Sequence, residues 1–318
     1  MNKRERFIAA FHGQPVDHVP VSMWKHVPAE LWDDDEAFVQ YQTKFVHESD
    51  VDFLKMSADK YFTWAAPILE GIENADDLYK IEPLGADHPF IRNQITRAKR
   101  QVELLEGEVP CIHLVFCPLS YLRLKVGYPM MMKLIRENPE AMKYALNVIA
   151  EDVKHLVKGY LTEAGVDGIF YSVQNGEQNR FTYEEYRDWV APSDKAVLEY
   201  ANTLSDMNCI HFCAWEEIPN RLEAWSDYHA AVISFSRMFD IDNIEDAKKH
   251  FGTTVWSGFD NRVGGLLFTG TREEIEAETA RLIEEGGKQG FILGADCSID
   301  NSLPTERIRW VVEAARKI

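Results

Sequence analysis

Short runs of apolar, β-branched and aromatic residues alternate along this chain with longer stretches whose apolar positions recur at helical spacing. The strand-like runs are Val19–Trp24, Asp52–Met56, Val109–Phe116, Gly165–Ser172, Met207–Ala214, Ala231–Phe235, Thr253–Phe259 and Gly290–Gly294, often bounded by Gly, Pro or Asp. Between them, Pro139–Tyr160 carries Met142, Ala145, Leu146, Ile149, Val153, Leu156 and Val157 near a 3.6-residue period. Thr271–Glu285 opens on Thr271 and Glu274, a capping-box pair, and runs into Gly286 and Gly287. Pro304–Lys317 starts on proline and finishes on Arg316 and Lys317, which suit the negative end of a helix dipole.

Strands alternating with helices predict a parallel sheet, and eight such units predict closure into a single-domain (β/α)8 barrel of the TIM type spanning residues 1–318. The competing arrangement is an open, doubly wound sheet. That fold usually carries a glycine-rich phosphate loop after its first strand, whereas the residues after Trp24 are Lys-His-Val-Pro-Ala-Glu. In the barrel, Lys3–His12 forms a short helix capping the bottom, and the acidic run Asp33 to Glu36 is a solvated helix start.

The charge balance removes some functions. With 34 basic against 52 acidic residues the net charge is −18, which excludes the basic footprint that nucleic-acid binding needs. No run approaches the roughly 18 apolar residues of a membrane span. The N-terminus has no apolar segment behind its basic residues, so no signal peptide is expected. Five scattered cysteines, an odd number, suit a reduced cytoplasmic enzyme better than a disulfide framework.

The fragment most informative about chemistry is Cys209-Ile210-His211-Phe212-Cys213-Ala214. Alternate residues of a strand share a face, so His211 and Cys213 point one way while Ile210 and Phe212 point the other. Both fall near the C-terminal end of the fifth run, the end at which barrel enzymes hold their active sites. Cys297, just after the eighth run, emerges on the same side. One imidazole and two thiolates make a zinc site with a fourth position left for water or substrate. The competing reading is that these cysteines are small buried hydrophobes. Cys209 shares the face but lies deeper and reads as core packing. Cys111 and Cys117 flank the third run and read as structural.

Several longer segments extend this picture. Gly13-Gln-Pro-Val-Asp-His-Val-Pro-Val21 resembles the opening of uroporphyrinogen decarboxylase-like proteins. So do Val115 to Leu119 with Glu137 to Glu140, Glu163 to Ile169, and the closing run from Trp256-Ser-Gly-Phe-Asp260 to Ile292-Leu-Gly-Ala-Asp-Cys297. Together they cover nearly the whole chain in order. One branch of that superfamily decarboxylates porphyrinogens, and another transfers methyl groups to or from cobalamin. The methyltransferase branch is marked by a His-x-Cys…Cys zinc motif, which His211, Cys213 and Cys297 match. The decarboxylase branch carries an arginine-rich segment after the opening proline motif. This chain reads Val21-Ser-Met-Trp-Lys-His26 there and has no arginine between Arg6 and Arg92. Lys25 and His26 cannot supply bidentate arginine contacts to carboxylates.

The resemblance therefore implies a zinc-dependent methyltransferase, with the corrinoid supplied by a partner protein and a small-molecule methyl donor or acceptor. The substrate is a thiol or a methoxy or methylamine compound, and the sequence leaves the direction of transfer open. A decarboxylase acting on a carboxylated substrate and a non-catalytic ligand binder are the competing readings. Asp59, after the second run, lies near where the decarboxylases place an essential aspartate. Tyr171, Gln174, Asn175 and Glu177 follow the fourth run as pocket candidates, with Glu177 a further metal-ligand candidate. Asp260 and Asn261 follow the seventh, and Asp296 is placed to orient a histidine. Trp24, Trp64 and Trp215 are candidates for an apolar wall against the corrin. A homodimer is compatible with such barrels.

Overall fold

The computed structural model describes residues 1–318, apart from the side chain of Trp215. Seven parallel strands form one sheet in sequential order: β1 Leu54–Met56, β2 Cys111–Phe116, β3 Gly168–Val173, β4 Cys209–Phe212, β5 Val232–Ser234, β6 Thr254–Phe259 and β7 Phe291–Ala295. Every strand residue is buried, as expected of parallel strands covered on both faces. Seven of the eight predicted runs thus become strands of one α/β sheet. Helices such as Pro139–Lys158, Ala191–Leu204, Arg272–Gly286 and Thr305–Ala315 pack outside it.

The remaining run, Val19–Trp24, forms no strand of its own, and its backbone explains why. Pro20 has no N–H, and the N–H of Val21 donates to the Asp52 carboxylate at 2.7 Å instead of to a neighbouring strand. What is left bridges both edges of the sheet. Ser22 N–H donates to Leu293 O (3.1 Å), Leu293 N–H to Pro20 O (2.9 Å) and Asp52 N–H to Val21 O (2.8 Å). The sheet is therefore curled, with one segment touching both β7 and the residues just before β1. Close packing locks this seam. Trp256 Nε1 donates to Ser22 O at 3.0 Å, and a Cβ on Gly294 would lie 2.2 Å from that nitrogen.

The helix Lys3–Phe11 covers the N-terminal end of the sheet. It is capped by Asn2 and Glu5, its Arg6 pairs with buried Asp52 at 2.6 Å, and Thr254 Oγ1 donates to Ala10 O. The predicted capping box at Thr271 and Glu274 is formed. Gly159 does not end its helix. It stays helical at φ −60°, and a π-helical turn continues through Ala164 to Gly165 at φ +76°. Its missing side chain makes room for Ile95, which a Cβ would meet at 2.1 Å. No helix among the described residues is long and apolar enough to cross a membrane.

Behind β3, in the helix layer, lies a buried polar knot. The Asp194 carboxylate accepts from the hydroxyls of Tyr186 (2.8 Å) and Tyr228 (3.2 Å), and Trp225 Nε1 donates to the Tyr186 hydroxyl at 3.0 Å. Burial pushes the Asp194 carboxyl up to about 7, with the hydroxyl donors opposing it. An unfolded aspartate ionises near 3.8, so the protonated folded form is favoured at low pH. That contribution fades as pH rises from about 4 and is gone above about 7, a loss of order 4 kcal/mol at most. We expect the melting temperature to fall between pH 5 and 8, and Asp194→Asn to remove much of that slope. Equal slopes for wild type and variant in a calorimetric pH series would refute this assignment.

Candidate active site

His211 sits in β4 and Cys213 follows it, their side chains brought to one face by the strand's two-residue period. Cys297 arrives from the loop after β7. The His211 ring nitrogen and the two sulfurs lie within 4.8 Å of one another, although 84 residues separate Cys213 from Cys297 in the chain. Cys297 Sγ lies 3.7 Å from His211 Nε2. Nδ1 of His211 lies 3.0 Å from Ser234 Oγ, at the end of β5. Donation from Nδ1–H to that oxygen leaves the Nε2 lone pair facing the sulfurs, the tautomer a metal ligand requires. The imidazole also stacks on Phe170, centroids 4.9 Å apart, which fixes its plane. The thiols act as a pair. Hydrogen bonding from Cys213 and the neighbouring His211 holds Cys297 well below the ordinary thiol range, while the contact with Cys297 and burial push Cys213 up. The donor set fits a zinc ion: one nitrogen, two sulfurs, and an open side.

That open side is a cavity of about 180 Å³ lined by Trp24, His26, Lys55, Phe62, Phe116 and Phe170, together with Leu114, Leu124, Ser172, Gln174, Ser298 and the three donor residues. Trp24 is a wall residue, its ring 6.0 Å from that of His211. Asp59 stands one shell back. Burial would push its carboxyl up, yet donation from His26 Nδ1 (2.8 Å), Ser57 Oγ and Val27 N–H holds it below the usual range. His26 continues through Nε2 to Ser298 Oγ at 3.1 Å, so Asp59 reaches the cavity through His26.

The other predicted residues take different places. Gln174 lines the cavity, as β3 alternation puts Phe170 and Ser172 there too. The same alternation turns Tyr171 away: its hydroxyl donates to Asp194 O at 3.1 Å in the helix layer, outside the cavity. Asn175 is buried with its amide on Ser120. Glu177 is buried beneath Tyr128 and Arg180, 3.3 Å from the tyrosine hydroxyl, and burial raises its carboxyl. Asp260 is held by the Arg262 guanidinium at 2.8 and 2.9 Å, and Asn261 donates to Ser298 O. Asp296 accepts from Ser236, Ser257 and Met238 N–H rather than from a histidine. Trp64 packs on Phe90 and Tyr121 away from the cavity, and the Trp215 side chain lies outside the described residues. Cys209, Cys111 and Cys117 are buried outside the donor cluster.

Sequence reasoning passed over Lys55, Phe170, Ser234 and Ser298. Lys55 had a signal: a lone lysine between Leu54 and Met56, in a strand of a fold that buries both faces of its sheet.

A curled parallel sheet with a His/Cys/Cys cluster at the C-terminal strand ends is an α/β arrangement of the kind that holds its active sites at that end. The uroporphyrinogen decarboxylase (URO-D) family profile matches residues 54–318, and the chain belongs to that family. Among solved structures it is similar to a methyltransferase from Methanosarcina mazei, with 16% identity over 100% of this chain and 99% of that one and a TM-score of 0.75. It is also similar to a B12-independent methionine synthase from Shewanella sp. W3-18-1 in complex with selenomethionine, with 15% identity, 95% and 94% coverage, and a TM-score of 0.54. At these identities the likeness is one of fold. No curated protein sequence matches the chain.

Proposed function

We propose that this chain is a zinc-dependent methyltransferase that moves a methyl group between a corrinoid carried by a partner protein and a small thiol, methoxy or methylamine substrate. The observation that carries this reading is the convergence of His211, Cys213 and Cys297 at the mouth of one cavity, from two chain segments. A zinc ion held by His211, Cys213 and Cys297 would supply a Lewis acid for a thiol, methoxy or amine substrate. The protein's own residues do the rest. Ser234 and Phe170 hold His211 in the tautomer and plane that present Nε2. Trp24, Phe62, Phe116 and Phe170 keep bulk water from the reacting atoms and strengthen the local electrostatics. The Asp59–His26–Ser298 chain provides a proton route at the cavity wall. The hydrogen bonds of residues 20–22 to β7 on one side and to Asp52, just before β1, on the other support a closed, single-domain barrel with segment 19–24 completing the ring. The Methanosarcina protein of the same fold, itself a methyltransferase, supports methyl transfer as the class of reaction.

Metal analysis tests the reading first. Protein purified from zinc-supplied cells carries about one equivalent of zinc, and it demethylates methylcobalamin in the presence of a thiol, seen as a change in the corrin absorption. Metal-free protein under these conditions removes the chemical basis of the proposal.

A further inference from the structure

The cavity contains one charge that the metal does not explain. Lys55, in the middle of β1, is 4% exposed, and its ammonium opens on the cavity that the metal ligands line. Among the described residues it donates no hydrogen bond to any protein group. Its contacts are aromatic: the Trp24 ring at 5.4 Å and the Phe170 ring at 5.1 Å. Ring faces attract a cation but accept none of its three N–H bonds as an oxygen does. The nearest carboxylate, Asp59, is already engaged by His26, Ser57 and Val27 N–H. Burial pulls Lys55 down to about 8, against the opposing charges of Asp59, Cys297 and Cys213. A buried, charged group with unused donors is costly unless a ligand satisfies it.

We propose that Lys55 is a specificity-determining residue that receives an anionic group carried by the substrate, so that the pocket takes a small organic acid and rejects methylated amines. A cationic substrate meets two obstacles. It would face a like charge in a site shielded from water, and the Trp24 and Phe170 faces that might cradle it are occupied by Lys55 itself. The cavity of about 180 Å³ limits the acid to a few non-hydrogen atoms. The inference rests on the methyl-transfer reading for the idea that the substrate's other end reaches His211, Cys213 and Cys297.

Three thiols of nearly equal size separate the possibilities: 3-mercaptopropionate, 3-mercaptopropanamide and 3-mercaptopropanamidine, which are anionic, neutral and cationic at pH 7. Their binding is measured by calorimetry on wild type, Lys55→Met and Lys55→Arg, with the zinc content of every sample determined alongside. Wild type is expected to prefer the anion to the amide by roughly tenfold or more and to bind the cation most weakly. Lys55→Met, similar in shape and without charge, loses that ranking, and Lys55→Arg retains it. Equal binding of all three by wild type, no binding of any, or an unchanged ranking in Lys55→Met overturns the proposal. So does an equal loss for all three thiols in Lys55→Met, because the ammonium would then serve the sulfur and not a second group. An anion preference that depends on Lys55 in metal-free protein sustains the residue's role while refuting the zinc reading, so the two failures are told apart.

Discussion

In protein loaded with zinc, Cys213→Ala and Cys297→Ala lose most of the metal, while Cys209→Ala keeps it. The contrast follows from the strand's geometry. Cys209, His211 and Cys213 are spaced by two along one chain segment and share one face, but a strand rises about 3.3 Å per residue, so Cys209 lies a full layer below. Its sulfur approaches the carbonyl of Ile210 at 3.4 Å and takes no part in the donor cluster. Removing either clustered thiol leaves one sulfur and one nitrogen, too few to hold zinc firmly. The loss in affinity should exceed the roughly 10–100-fold that removal of an outer partner costs. All three variants should still fold, because a hydrophobic core extending from Phe7 to Ala315 does not rely on a metal. Metal content by mass spectrometry, with a thermal melt on each variant, decides the matter. If the three cysteine variants lose metal alike, the cluster is a general feature of buried thiols and not a site.

Much of this arrangement is written in local pattern. The two-residue period of β4 places His211 and Cys213 together, and the position of Cys297 just past β7 brings it to the same end of the sheet. Both follow from parallel strands that all point one way. In β3 the same period faces Phe170, Ser172 and Gln174 inward and turns Tyr171, a pocket candidate by its place at the end of the fourth run, to the other side. Position suggested Tyr171, and the alternation decided against it. The strand expected at Val19–Trp24 shows a different limit. Its hydrophobic pattern is that of a strand, but Pro20 and the Asp52 carboxylate take away the N–H groups a ladder needs. The second of these is a tertiary contact that the local pattern does not encode. Asp59 shows a third case. Its position after β1 follows from the sequence, whereas its link to the cavity depends on His26, 33 residues earlier, turning its ring between Asp59 and Ser298.

Membership of the decarboxylase family makes one negative result especially informative: uroporphyrinogen should not be decarboxylated at an enzymatic rate. That substrate presents several carboxylates, and each one buried without a partner costs of order a few kcal/mol. Lys55 is the sole Lys or Arg among the residues lining the cavity, and a single ammonium can answer a single carboxylate. The arginines at either end of the long arginine-free stretch are committed elsewhere. Arg6 is bound to Asp17 and Asp52 beneath the sheet, and Arg92 lies on the surface with Glu163. Lys25, in the segment where arginines would be expected, is buried with its ammonium on the carbonyl of Leu303. The cavity of about 180 Å³ is also below the roughly 300–1,000 Å³ typical of pockets for drug-sized ligands, and a tetrapyrrole is larger still. The net charge of −18 adds long-range repulsion. An assay that follows stepwise loss of carboxyl groups should show no turnover above the uncatalysed background, with or without zinc. Turnover of about 1–10 per second, within the ordinary enzymatic range, would mean that the substrate's carboxylates find cations this cavity does not present, and the methyltransferase reading would give way to the decarboxylase.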